Sequence, residues 1–250
     1  MSAWNKLITK PRNLRPLGAL IWGPSGNGKS SLITEFCKRH PSYSIPEAEI
    51  KPVLVVESPA AAGEKRLLGA ILQALGCQDW NKGDTEMRQH RVLHLLPACR
   101  TQALILDEVH NLLIGIKKLE ESLNVLKYMS NKLGITLLLS GTERARDVLV
   151  KDQQLSSRFL SYELPRWSYD REYLEFLKLL ESTIAIRNPS DLSNADIAKT
   201  LLKLSNGILG NIVLFVKEAA VAAIEDGTER ITKDKLILVS ERYEWSSNKF

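Results

Sequence analysis

Cysteine is scarce in this chain. Cys37, Cys77 and Cys99 are the only three, no two form a CxxC pair, and none falls at a metal-ligand spacing. A disulfide scaffold is thereby excluded. The N-terminal stretch MSAWNKLITKPRNLRP has no apolar core region, so it does not read as a secretory signal. With the few thiols, this points to a reduced, cytoplasmic protein. No run approaches the roughly 18 apolar residues of a membrane span, and there is neither an internal repeat nor a low-complexity segment. A strong excess of one charge is also missing. Lys and Arg total 34 against 29 Asp and Glu, for a net charge of +5. That balance permits a polyanionic partner without requiring one.

What is present is a globular composition. The 250 residues are 44% hydrophobic and 25% charged, close to the average for folded domains and enough for a large core with a small companion domain. The charge is uneven, because residues 1–20 hold Lys6, Lys10, Arg12 and Arg15 and no acid. Residues 1–16 read as a basic N-terminal arm, either solvated or touching nucleic acid.

From Leu17 onward, short apolar runs alternate with helical periodicity. Strands are predicted over 17–22, 52–57, 103–107, 135–140 and 159–164. Helices are predicted from the turn after Trp22 to about Arg39, over 63–75, over 85–96 with an Asp84-Thr85 cap and Pro97 as terminator, and over 119–133. Continuous apolar strands separated by helices specify a parallel sheet covered on both faces, an α/β fold with five strands. After Pro165 only helices are predicted, over 170–182, 193–205, 210–225 and 232–243. The expected division is an α/β core over 17–167 and a small all-helical domain with a short tail over 168–250.

The chemistry concentrates at strand ends. Gly23-Pro24-Ser25-Gly26-Asn27-Gly28-Lys29-Ser30 fits G-x-x-x-x-G-K-[ST] between a predicted strand and a helix, with Ser31 next in line. Glycines let backbone N–H groups converge on phosphate oxygens, and the helix start adds positive potential. Lys29 would neutralise the β- and γ-phosphates and Ser30 would hold Mg²⁺. The apolar run Ala103-Leu-Ile-Leu ends in Asp107 and Glu108. Asp107 suits the Mg²⁺ shell through a water, and Glu108 suits orientation or deprotonation of an attacking water, which favours a hydrolase over a small-molecule kinase. The next strand ends in Ser140-Gly-Thr142, where a γ-phosphate sensor would sit, with Thr142 the first choice and Ser140 the second. Arg158, before the last predicted strand, is placed to reach a neighbouring subunit's γ-phosphate. Asp107-Glu-Val-His110 has the D-E-x-H form of many helicases. The all-helical region after residue 165 leaves no room for a second sheet domain, so His110 is expected to be the polar start of the next helix.

These blocks together resemble the AAA+ ATPases: P-loop, Asp-Glu, polar fourth-strand end, Ser-Arg-Phe and trailing helical lid. More narrowly, the chain resembles the TniB/TnsC group of transposition target-selection ATPases. That match rests on Ile105-Leu-Asp-Glu-Val-His110-Asn-Leu-Leu113, Leu139-Ser-Gly-Thr-Glu143, Lys151-Asp-Gln-Gln-Leu-Ser-Ser-Arg158-Phe159, Leu164-Pro-Arg-Trp167 and Ser205-Asn-Gly-Ile-Leu-Gly210-Asn-Ile. The resemblance implies a Mg-dependent ATPase that assembles as rings or filaments on duplex DNA, recruits a DDE transposase and communicates with a TniQ-type targeting protein. By position it also implies DNA contacts at Lys65, Arg66, Lys82 and Thr85, made to phosphates and therefore independent of sequence. A nucleotide-gated adaptor or helicase loader acting on protein partners shares the same core. One departure stands out: where many AAA+ lids carry an arginine that touches the γ-phosphate, this chain has Val213. Slow hydrolysis, or a weakly responsive lid, is the expectation.

Overall fold

The structure is a computed structural model and describes Trp4 and residues 18–60, 63–113, 116–151 and 159–243. Its contacts divide the chain into two compact units, Met1–Gly23 with Lys29–Leu164, and Pro24–Gly28 with Pro165–Phe250.

The first unit is built on the predicted apolar strands. They are β1 (Gly18–Trp22), β4 (Val53–Glu57), β5 (Ala103–Asp107), β6 (Thr136–Gly141) and β7 (Phe159–Glu163). They pair in the order β4-β5-β6-β1-β7, and every pair is parallel. Period-2 alternation sends successive side chains to opposite faces. Leu20, Leu54, Val56, Leu104, Leu106, Leu137 and Leu139 therefore enter one core, and Ala19, Ile21, Val53, Ala103, Ile105 and Leu138 enter the other.

The first core is covered by α2 (Glu64–Ala74), α3 (Thr85–Ala98) and α4 (Ile116–Leu133), with α5 (Glu143–Lys151) following β6. The second is covered by α1 (Lys29–Arg39), through Ile33 and Phe36. Trp4 joins it. At 2% exposure its ring meets Phe36 edge-on, with centroids 5.2 Å apart, so this residue of the basic arm belongs to the core.

Three elements lie outside the sequence expectation. Tyr43–Ile45 and Ala48–Ile50 form the antiparallel hairpin β2–β3, and α5 follows directly on Thr142. Pro97 also does not end its helix: α3 runs to Ala98, and the Cys99 N–H bonds back to the Leu95 carbonyl at 2.9 Å. A proline in the last turn lacks only its own N–H donor, and the turn closes around it.

The second unit is helical, with α6 (Arg171–Ser182), α7 (Ala195–Ser205), α8 (Leu209–Glu225) and α9 (Lys233–Arg242). They enclose a core of Tyr173, Leu177, Leu201, Phe215, Ile231 and Leu236. Asp170, Asn194 and Thr232 cap three of the helices with side-chain oxygens. Ile208 has no side chain that could cap α8. Asn27 supplies that cap from far away in sequence. Its Oδ1 accepts from the Leu209 N–H at 3.2 Å, its Nδ2 donates to the Pro165 carbonyl, and the Gly210 N–H donates to the Gly26 carbonyl at 2.9 Å. Among the described residues no single helix is long and apolar enough to cross a membrane. The bent pair α7–α8 is long and apolar enough only when its two helices are taken together, and its buried apolar residues belong to this unit's core.

Candidate nucleotide site and cationic surface

β1, β6 and β5 lie side by side, so the loops after them emerge from one edge of the sheet. In open α/β sheets that carboxyl edge is where ligands bind. Gly23 turns the chain out of β1. Its N–H bonds to the Gly141 carbonyl at 3.3 Å, and a Cβ there would stand 2.4 Å from the Leu164 carbonyl oxygen, so only glycine fits. Lys29 opens α1 at 5% exposure, and its Nζ donates to the Gly23 carbonyl at 3.0 Å. Burial pulls the Lys29 pKa below the ordinary lysine value, opposed by the charges of Glu108 and Asp107. Of the other motif residues, Ser25, Gly26, Ser30 and Ser31 are exposed, Pro24 and Gly28 are half-buried, and Asn27 is buried as the α8 cap. Gly28 has φ +89°, a conformation glycine adopts without strain.

The two predicted metal residues meet. The Ser30 hydroxyl donates to Asp107 Oδ2 at 2.9 Å, and Asp107 Oδ1 accepts from the Glu108 N–H at 2.9 Å. β6 lies between β5, which ends at Asp107, and β1, which leads through the loop into the helix that carries Ser30. Glu108 sits at φ +53°, uncommon for a side-chain-bearing residue. His110, in the short 3₁₀ turn Val109–Leu113, places Nε2 3.0 Å from Glu108 Oε2, and its Nδ1 is buried without a hydrogen-bond partner. Ser140, paired with Ile21 at the end of β6, is fully buried and its hydroxyl also has no partner. Thr142 is half-buried in the turn into α5, where its carbonyl accepts from the Ala145 N–H at 2.9 Å. Arg158 lies outside the described residues.

The four residues expected to face DNA lie on adjacent segments. Lys65 and Arg66 are exposed in the first turn of α2. Thr85, half-buried, begins α3, and with Lys65 and Arg66 it lines a pocket that also includes Arg88, Glu64 and Glu121. Lys82 is exposed on the loop before α3 and pairs with Asp79 at 2.9 Å. Asp84 caps α3, accepting from the Met87 N–H at 2.8 Å.

A family model described as "Bacterial TniB protein" matches residues 1–169 of this chain. The chain belongs to the TniB family. TniB proteins are AAA+ ATPases of transposition, and the sheet order β4-β5-β6-β1-β7 is that of an AAA+ core. Among solved structures, this TniB chain is similar to the ORC2 protein of Aeropyrum pernix in its ADPNP–ADP complexes, with a TM-score of 0.66 at 16% identity, covering 99% of this chain and 67% of that one. It is similar to the Aeropyrum pernix ORC1 protein in complex with DNA, with a TM-score of 0.63 at 16% identity, covering 93% of this chain and 61% of that one. Domain III of the Thermotoga maritima replication initiation protein DnaA gives a TM-score of 0.56 at 14% identity, covering 97% and 90%. At such identities the likeness concerns the fold alone. No curated protein matches the sequence.

Three residues of this TniB chain carry positions that sequence reasoning missed. His110 is a partner of Glu108 rather than merely a helix start. Arg88 is a buried arginine inside an apparently polar helix. Trp4 is core rather than solvated arm. For Trp4 and Arg88 the available signals were the one aromatic of the basic arm and Gly69 within a helix, each pointing to close packing.

Proposed function

We propose that this TniB chain is a Mg-dependent ATPase that binds duplex DNA through phosphates. In this reading it assembles there as a ring or filament, recruits a DDE transposase under a TniQ-type targeting protein, and is released when ATP is hydrolysed. The observation that supports the reading best is the Ser30–Asp107–Glu108 cluster at the sheet's carboxyl edge in a TniB chain. A hydroxyl and a carboxylate oxygen 2.9 Å apart fit a divalent cation bound by Ser30 and, through water, by Asp107. When bound, that cation supplies charge neutralisation and a template for the phosphates. Lys29 neutralises the β- and γ-phosphates, as its desolvated ammonium suits. Glu108, held by His110, orients the attacking water and takes its proton. The unpartnered hydroxyl of Ser140, with Thr142 beyond it, senses the γ-phosphate. Arg158 stabilises transition-state charge on a neighbour's nucleotide. In this reading the functional division is a basic arm over 1–16, an ATPase core over 17–167, and a lid and tail over 168–250. Two features add support for a DNA role. Lys65, Arg66 and Thr85 share one pocket, and a similar fold has been solved in complex with DNA.

One observation favours a second reading. Glu64 and Glu121 line the same pocket as the cations, a mixed surface that suits a protein partner and hence a nucleotide-gated adaptor. Sedimentation with ATP, ADP or no nucleotide, with and without duplex DNA, separates the two. The DNA reading expects large species only with ATP and DNA, weakened by Lys65→Glu. ATP-driven assembly that ignores both DNA and Lys65→Glu would leave the adaptor.

A further inference from the structure

The two cationic segments are joined by a buried arginine whose N–H donors are taken up by backbone carbonyls. Arg88, in the first turn of α3, is 7% exposed. Its guanidinium is occupied by backbone carbonyls. Nη1 donates to Lys65 at 3.1 Å, Nε donates to Lys82 at 3.3 Å and to Gly83 at 3.2 Å, and Nη2 donates to Asn81. A guanidinium presents five N–H donors in a rigid planar fork. Here the fork spans the α2 turn that carries Lys65 and Arg66 and the loop that carries Lys82 and leads to Thr85. Gly69 makes the space for it: a Cβ at that position would stand 2.9 Å from Arg88 Nη1.

We propose that Arg88 is a positioning residue that fixes the spacing of Lys65–Arg66 against Lys82–Thr85, so that both segments meet the phosphates of one nucleic-acid backbone. The proposal rests on the reading of these four residues as DNA contacts. Cations on two loops that drift independently reach a regularly spaced polyanion one at a time. Clamped, they release counterions together, and the salt dependence of binding steepens with each additional phosphate neutralised.

The test uses the full chain with ATP and mixed-sequence duplex DNA over a salt series. The variants are Lys65→Glu, Arg88→Gln, Arg88→Lys and Gly69→Ala. Gly69→Ala is the decisive one. It adds a better helix former while pushing only the flexible end of Arg88 off the Lys65 carbonyl. The expected result is about tenfold weaker DNA binding for Gly69→Ala and Arg88→Gln. The slope of log K against log salt should also fall by about one unit, the contribution of one phosphate. The DNA-free ATPase rate of Gly69→Ala should match wild type. Arg88→Lys should not rescue, since an ammonium has three donors and cannot span both segments. A folded Gly69→Ala protein with unchanged affinity and slope overturns the role of Arg88, as does full rescue by Arg88→Lys. If Lys65→Glu itself binds DNA like wild type, the underlying reading fails and the proposal falls with it.

Discussion

At the scale of single residues, Lys29 and Glu108 make separable predictions. Lys29 is an ammonium buried against a carbonyl, with its pKa lowered chiefly by desolvation. In the nucleotide-free protein it is therefore a folding penalty, complete below its lowered pKa. The penalty is relieved as pH rises toward the ordinary lysine value, because in that window the unfolded chain binds more protons. Phosphates would supply the missing counter-charge. ATP at a hundred times its Kd should stabilise the wild type by about 2.7 kcal/mol, and Lys29→Ala should abolish that gain, as read from thermal melts with and without ATP. Glu108→Gln keeps the shape and removes the base. It should bind ATP like wild type while hydrolysing it about 10² to 10⁴ times more slowly, which nucleotide-binding and phosphate-release assays can resolve. Trp4→Ala would empty a fully packed site against Phe36 and should cost about 3 to 5 kcal/mol in denaturant melts.

At the scale of elements, the link between α8 and α9 gives a prediction about pH. Asp226, at the end of α8, is held at a pKa of about 2 by hydrogen bonds from Lys235 first and then from Thr228. A depressed carboxylate pKa gives stability that is complete above the unfolded value and lost as pH falls toward 2. Asp226→Asn should therefore lower the melting temperature at pH 7 and converge with wild type below about pH 2, which melts at the two pH values would show. Glu181 makes a comparable join in the α6–α7 connection. Its carboxylate accepts from the N–H groups of Ser190, Asp191 and Leu192 at 2.7 to 2.8 Å, and Glu181→Ala should cost about 2 to 3 kcal/mol. The five sheet strands and the helices around them, α5 apart, were legible because continuous apolar runs and 3.6-residue stripes leave few alternatives. The β2–β3 hairpin was not, since three-residue strands flanking Pro46 and Glu47 carry no periodic signal. The nucleotide loop and the Asp107–Glu108 pair could be read from residue type and spacing. The His110 contact depends on a left-handed turn at Glu108, and the Arg88 clamp depends on how two helices approach, so neither could be read along the chain.

At the scale of the whole molecule, the reading concerns what several copies do together. If copies assemble on DNA as proposed, a modest net charge of +5 per subunit would be multiplied, because the proposed contacts at Lys65, Arg66 and Lys82 would act in parallel. Arg158 gives the corresponding kinetic prediction: if it acts on a neighbour's nucleotide, wild-type ATPase activity per subunit should rise with protein concentration. Arg158→Ala should still bind ATP but lose that rise, with a deficit of about 10³ to 10⁵ at saturation. The sheet order has a further consequence, for biosynthesis. β1, which delivers the P-loop, has no neighbour from the first half of the chain, because its partners β6 and β7 are translated roughly a hundred residues or more after it. Non-local parallel pairing of this kind forms late and slowly. While the nascent chain still lacks Phe159–Glu163, the strand bearing the nucleotide motif has an open edge, so competence to hold ATP should emerge on the ribosome only near the end of the core's synthesis.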